Sequence, residues 1–295
     1  MEIRVLRSFL AIAREGSMTR AAEQLHVTQP TLSKQMKSLE RELGQRLFVR
    51  HSTSVDLTDE GVLLRERAAD LVLMAERIEQ EFSGLGDVTG GDIYLGLAES
   101  HQVSLIAREI KRLKQACPGL RYHITSGDTE QVTEKLDRGV LDFAALVEEP
   151  DDEKYEHLTF PGADVWGVVV RDDHELASRS AVTLDDLVGV PLFCSEQSWR
   201  RDIPLWAAER MPQLHLEGTF RLAYNGAVFV REGLGCLLTF DRLVGTGEGT
   251  SLVFLPLAPA LTTTMHLIWR RHQVFSPMAE RFLAQLRSSL TAAGQ

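Results

Sequence analysis

Residues 17–44 read SMTRAAEQLHVTQPTLSKQMKSLERELG, and this stretch decides what the first part of the chain is. Gly16 can close a preceding helix in the left-handed conformation and Ser17 can cap the next, so a helix is predicted over 18–25. Ala21 and Ala22 carry almost no side-chain bulk, which lets another helix cross closely, while Leu25 supplies an apolar anchor. His26 and Val27 form the turn. Thr28 is a good N-cap, and Pro30 falls in the first turn of a third helix starting at Gln29, where its missing N–H breaks no intrahelical bond. Along that helix Leu32, Met36, Leu39 and Leu43 recur on one apolar face, and Gly44 ends it. Gln29, Thr31, Ser33, Lys34, Lys37, Ser38 and Arg41 fall largely elsewhere, giving a polar, basic outer face. Two short helices about a tight turn are what a DNA-reading helix-turn-helix requires. Helix spacing alone also describes an ordinary amphipathic hairpin with a solvated charged face.

The residues beyond that third helix favour the DNA-reading motif. Residues 44–58, GQRLFVRHSTSVDLT, read as short strands over 47–50 and 54–57 around a polar tip, a wing lined by Arg46, Arg50 and His51. A basic hairpin beside a recognition helix is placed to reach backbone or minor groove, and Arg50 is the best candidate there. On the helix, Thr28, Gln29, Pro30, Thr31 and Ser33 form the leading end, which in such motifs meets base edges in the major groove. Lys34 and Lys37 suit phosphates, which set register without reading sequence.

From Thr58 a long helix is predicted to about residue 82, capped by Thr58, with Asp59 and Glu60 matching the positive end of its dipole. Leu64, Ala68, Leu71, Ala75, Ile78 and Phe82 alternate steps of four and three, a heptad seam of the kind that pairs two helices. Roughly 24 residues at ~1.5 Å each span about 36 Å, near one DNA turn. Periodicity alone also allows the seam to pack on its own domain, but dimerisation is favoured because a short winged motif rarely reads a long enough site alone.

These residues carry a resemblance. Ala21-Ala22, Leu25, Gln29-Pro30, Ser33, Leu39-Glu40, Leu43-Gly44, Leu47-Phe48, Arg50 and Leu57-Thr58 followed by Gly61 look like the LysR-type transcriptional regulators, densely over about the first 60 residues. The resemblance implies a winged helix-turn-helix, a dimer through the linker helix, a two-lobed effector domain, and commonly a dimer of dimers on double-stranded promoter DNA. RNA polymerase would be a further partner. It also implies effector contacts at Ser100, Thr129 and Asn225.

Charge is divided in keeping with this. Residues 1–58 hold 9 Lys/Arg against 6 Asp/Glu, leaving 23 against 36 for the rest of a chain whose net charge is −10. Only the N-terminal part looks like a nucleic-acid surface. A cytoplasmic protein is expected, since the chain shows no signal segment and no apolar run near the ~20 residues a membrane helix needs. Cys117, Cys194 and Cys236 are odd in number and widely spaced, unlike a metal site or a disulfide framework. A redox switch between Cys194 and Cys236 is the alternative, set against inert buried thiols.

Residues 83–91, SGLGDVTGG, hold four glycines and read as a hinge. Beyond it the pattern alternates between strand and helix: strands over 92–98, 120–126 and 141–147 with helices over 103–116 and 129–138 make a parallel α/β lobe. A second lobe begins near Pro161, with strands over 165–171, 191–194, 215–220 and 235–239 and helices near 199–210 and 227–232. A strand over 264–269 and a final helix over 277–290 return to the first lobe. The whole is α/β. A winged helix-turn-helix over 1–58 and a linker helix over 59–82 precede the hinge, and a two-lobed, periplasmic-binding-protein-like effector domain spans 92–295. Its lobes are about 92–160 with 266–295, and about 161–265.

Ligands in open α/β sheets settle outside the carboxyl ends of strands. That rule marks Ser100, His101 and Gln102, then Thr125, Ser126, Asp128 and Thr129, then Glu148, then Ser195 and Gln197, with Asn225 expected just before a helix. Glu148 and Glu149 nearby would penalise an anion if they faced inward. Cap or turn chemistry is an equal reading of each Ser, Thr and Asn. No cofactor, metal ligand set or catalytic residue is expected, because the chain lacks a phosphate-cradling glycine loop, zinc-ligand spacing and a nucleophile elbow. A solute-binding receptor would share the two lobes but not the basic winged domain.

Overall fold

The computed structural model describes residues 1–51, 54–83 and 89–293. The chain forms two compact units, Met1–Gly86 and Asp87–Gln295. In the first, α1 (Ile3–Glu15), α2 (Met18–Gln24) and α3 (Gln29–Leu43) precede strands β1 (Phe48–Arg50) and β2 (Val55–Leu57) and the long α4 (Asp59–Ser83). The local signals act where the sequence puts them. Gly16 and Gly44 close α1 and α3 in the left-handed region, and the hydroxyls of Ser17 and Thr28 accept from the N–H groups of Arg20 and Thr31. Leu6, Phe9, Ile12, Ala21, Ala22, Leu32, Met36 and Leu39 are buried together as one core. Leu43 is a correction: it is 38% exposed, because the last turn of α3 runs out past that core.

The heptad seam of α4 is also corrected. Ala68 and Val72 are buried in the core of their own unit with Leu64 packed against it, so the N-terminal half of the seam serves α1 rather than a partner. Leu71, Ile78 and Phe82 remain exposed, Phe82 at 71%. Two apolar stripes run side by side on this helix, and periodicity merged them. The hinge expected over 83–91 and the tip of the wing fall largely outside the described residues.

The second unit contains β3 (Gly90–Leu97), α5 (Val103–Ala116), β4 (Gly119–Ser126), α6 (Thr129–Asp137), β5 (Phe143–Leu146), β6 (Tyr155–Arg171), β7 (Val182–Thr183), α7 (Leu184–Leu187) and β8 (Pro191–Ser195). It continues with α8 (Glu196–Arg200), α9 (Asp202–Ala207), β9 (His215–Phe220), α10 (Ala223–Arg231), β10 (Cys236–Phe240), β11 (Leu252–Ala258), β12 (Thr262–Arg270) and α11 (Pro277–Ala293). One continuous path, β4-β3-β5-β12-β6-β10-β8-β9, runs through both lobes. The first lobe is not purely parallel: β3, β4 and β5 are, but β12 pairs antiparallel with both β5 and β6.

Two long strands join the lobes. Residues 155–159 of β6 pair with 266–270 of β12, while 166–171 of β6 pair with β10 and β11 in the second lobe. Only the second half of β6 is expected from sequence, since Pro161 and Gly162 look like a break. Strands β7 and β11 are additions to the expected set, and the single helix expected near 199–210 is broken into α8, α9 and a 3₁₀ turn. Each lobe has its own apolar centre, around Phe143, Phe160, Phe282 and Leu286 in the first and Trp166, Val168, Leu192 and Leu238 in the second.

Candidate nucleic-acid interface and interlobe cleft

The candidate DNA surface is built by α3 and the wing. Thr28, Gln29, Pro30, Thr31, Lys34 and Lys37 are exposed, and Ser33 is half-buried. Thr28 spends its hydroxyl on the first turn, accepting from Thr31 N at 3.4 Å and bonding the Thr31 hydroxyl at 2.8 Å, so it holds the leading end rather than facing away from it. Arg50 donates to Ser33 Oγ at 3.2 Å, which ties the wing to the recognition helix. His51 is engaged with Asp56 at 3.1 Å.

Three residues outside the predicted interface set that geometry. Glu40 accepts from Leu47 N at 3.0 Å, pinning the chain between α3 and β1. Thr58 donates its hydroxyl to Arg46 O at 2.7 Å and accepts from Gly61 N at 3.0 Å, so one side chain caps α4 and fastens the wing. Gly61 packs so closely that an added Cβ would lie 2.2 Å from Leu47 O.

In the second unit a cavity of about 270 Å³ lies between the lobes, with Glu99 and Val147 on one side and Trp166, Ser195, Arg221, Thr239 and Phe240 among those on the other. Of the residues expected at the strand ends, Asp128, Ser195 and Gln197 line it, and the Ser195 hydroxyl accepts from Ser198 N at 3.2 Å to cap α8. Ser100 is 7% exposed, donates to Asp164 Oδ2 at 2.5 Å and accepts from Gln102 N at 2.9 Å. His101 is exposed, Thr125 is half-buried on the edge strand, and the Gln102 amide packs over Gly162. Asn225 lies within α10, not before it, and lines a separate groove on the second lobe. Thr129 works across the cleft. Its N–H donates to Gln197 Oε1 at 3.2 Å, and Gln197 Nε2 donates back to Thr129 Oγ1 at 3.1 Å and to Glu148 Oε1 at 2.5 Å. Glu148 also pairs with Arg201, so it faces a cation rather than standing open to repel an anion.

The strand-end rule passed over Glu99, one residue short of Ser100. Its Oε2 accepts from Ala223 N at 2.8 Å, supplying from the first lobe the cap that α10 lacks locally. Burial raises the Glu99 carboxyl above its ordinary range, against a smaller opposing pull from that N–H.

All three cysteines are buried and none is in a disulfide. Burial pushes Cys194 up strongly and Cys236 up to about 11. In the parallel pairing of β8 and β10, Cys236 faces Leu192 and Leu237 faces Phe193, so Cys194 comes level with Leu238. Two residues of stagger across neighbouring strands separate the Cα atoms by roughly 8 Å, beyond the ~7 Å a disulfide spans without backbone movement. Among the described residues no group of three His, Cys, Asp or Glu could hold a metal ion, and no helix is long and apolar enough to cross a membrane.

Comparison with known proteins agrees with the fold. Residues 3–62 match the profile of the bacterial regulatory helix-turn-helix protein, lysR family, and residues 86–291 match the LysR substrate binding domain. The chain is 32% identical over 246 residues to the HTH-type transcriptional regulator YtlI of Bacillus subtilis, covering 80% of this chain and 76% of that protein. It is 31% identical over 196 residues to the DNA-binding transcriptional dual regulator OxyR of Escherichia coli, covering 66% of this chain and 64% of that one. The crystal structure of CbnR, a LysR family transcriptional regulator, superposes with a TM-score of 0.79 at 19% identity, covering 98% of this chain and 99% of that one. CbnR complexed with its target DNA gives 0.78 at 18%, covering 98% and 100%.

Proposed function

The chain belongs to the LysR family of DNA-binding transcription regulators, which are not enzymes, and we propose that it reads promoter DNA through α3 under control of a small molecule bound between its effector lobes. The observation that carries this reading is the exposed leading end of α3, braced by the Arg50 to Ser33 hydrogen bond, in a chain whose other unit holds a cleft. Gln29 and Ser33 read base edges, Thr28, Pro30 and Thr31 shape the leading end, and Lys34, Lys37 and Arg50 meet backbone. The protein acts in the cytoplasm as a homodimer through Leu71, Ile78 and Phe82 of α4, assembled further to a tetramer, with RNA polymerase as a partner at the promoter. Ligand favours one arrangement of the lobes, and that preference changes how the DNA-binding dimers hold and bend the duplex.

Binding to a selected duplex and to random duplexes, followed by fluorescence anisotropy over a salt series, tests the DNA half. Lys34→Ala and Lys37→Ala should each weaken all sequences alike and lower the salt slope by about one, whereas Gln29→Ala should relax base preference more than total affinity. A wild-type protein with no sequence-selective, salt-dependent binding ends the reading.

The redox alternative rests on Cys194 and Cys236, and the character of the two thiols weighs against it. A peroxide sensor needs an accessible, low-pKa thiolate, and Cys194 and Cys236 have the opposite character. Peroxide at concentrations that oxidise free cysteine should leave DNA affinity unchanged and yield no Cys194–Cys236 disulfide by mass spectrometry. Rapid loss of both thiols would reverse that conclusion.

A further inference from the structure

The interlobe cavity has an apolar and aromatic wall that includes Val147, Trp166, Leu238 and Phe240, set against polar and charged residues on the rest of its lining. Trp166 and Phe240 stack edge-on with centroids 4.4 Å apart, and the Trp166 Nε1–H is already committed to Thr263 Oγ1 at 2.9 Å. Thr239 lines the cavity at 4% exposure and makes no side-chain hydrogen bond to a described residue. Three carboxylates, Glu99, Asp128 and Glu196, line the same space. Asp128 caps α6 by accepting from Gln131 N at 2.9 Å, and Glu196 pairs with Arg200 at 2.6 Å. Among the described residues neither Glu99 nor Asp128 is paired with a cation; Glu99 meets the cavity with the backbone N–H of Ala223, from the opposite lobe, as its partner.

That N–H begins α10, where the helix dipole would favour an anion. Glu99 already occupies the place. A ligand carboxylate would have to displace a covalently tethered one and then lie beside it, with like charges in a partly desolvated site. Arg221 is the cation among the lining residues, and it stands exposed, where solvent screens it.

We infer that the cleft takes a small primary ammonium ion with an apolar body, its N–H groups donating to Glu99 and Thr239 and its carbon skeleton lying against Trp166 and Phe240. This rests on the reading of the cleft as the effector site and narrows it to one class of ligand. A charge-assisted bond to Glu99 supplies the compensation its carboxylate lacks, and the aromatic walls favour a cation over a neutral amide. The upward shift of the Glu99 carboxyl is in keeping with a buried charge short of partners.

Calorimetric titration of the full chain with benzylamine and benzoate, and with butylamine and butyrate, tests the inference, since each pair shares a body and reverses the charge. The amines should bind wild type and the carboxylates should not. Glu99→Gln, which keeps an acceptor for Ala223 N, should weaken the amines at least about tenfold, and Thr239→Val should weaken them several-fold. Carboxylates that bind wild type as tightly as the amines, and are weakened by Thr239→Val, would overturn the cation class while leaving the cleft as a ligand site. Amine binding indifferent to both substitutions would place the ligand elsewhere and remove both readings. Absence of amine binding to wild type also overturns the inference, and the cleft then stands or falls on whether any metabolite alters DNA binding in the anisotropy assay.

Discussion

Gly61→Ala is expected to abolish DNA binding while leaving the second unit intact. Helix propensity argues the other way, because Gly61 lies inside α4 and alanine there should stabilise by about 1 kcal/mol. Sterics decide the sign. The added Cβ meets Leu47 O at 2.2 Å, and that carbonyl cannot retreat freely: it accepts from Thr58 N at 3.1 Å while Leu47 N is held by Glu40. Overpacking against fixed backbone costs on the order of 3 kcal/mol, so the net loss is about 2 kcal/mol, and relief comes by shifting the wing that carries Arg50. All four tryptophans, Trp166, Trp199, Trp206 and Trp269, belong to the second unit. Urea unfolding should therefore show an earlier far-UV transition with an unchanged tryptophan transition. Gly44→Ala is the control, since nothing lies within 4 Å of its Cβ position and only the left-handed backbone at φ +68 is penalised, at about 1 kcal/mol. Equal effects of the two substitutions would refute the close-packing account.

The helix-turn-helix was legible because its signals are local. Caps at Ser17 and Thr28, the proline in the first turn of α3 and the glycines at two helix ends each act within four residues. The wing fastening was half legible. Glu40, Thr58 and Gly61 stood in the pattern that resembled the family, yet their reasons are contacts between residues well separated in the chain, which no window of sequence displays. The start of α10 failed for the same cause carried further. Its N-cap position is Leu222, with no side-chain cap, and the group that satisfies Ala223 N is Glu99, 124 residues earlier. A search for Ser, Thr, Asp or Asn before the helix therefore started it late and put Asn225 outside it. The α4 seam shows a different limit, since a periodic stripe reveals that a face is apolar without revealing what covers it.

Asp164→Ala should cost the second unit about 2 kcal/mol at neutral pH, and its pH profile separates charge burial from hydrogen bonding. Asp164 is buried on β6, the strand shared by both lobes, where it accepts from Ser100 Oγ and from the backbone N–H of His101. Alanine strands both donors, at about 1–3 kcal/mol each, and removes a carboxylate that burial disfavours, which offsets part of the loss. Asparagine keeps one acceptor and drops the charge, so it should cost less. Burial raises the Asp164 carboxyl above its ordinary value near 3.8, more than its two hydrogen bonds lower it. The folded state then holds a proton that the unfolded chain releases, so this group's contribution falls as pH rises from about 4 through the folded pKa. Both variants should lack that segment of the wild-type curve, measured as urea midpoints by tryptophan fluorescence. A wild-type slope that survives in Asp164→Asn would assign it to Glu99 or Asp202, whose carboxyls are raised by burial in the same direction. Ser100→Ala would lower stability by the same route, which is why a blunted ligand response in that variant would report on the shared strand before it reported on ligand contact.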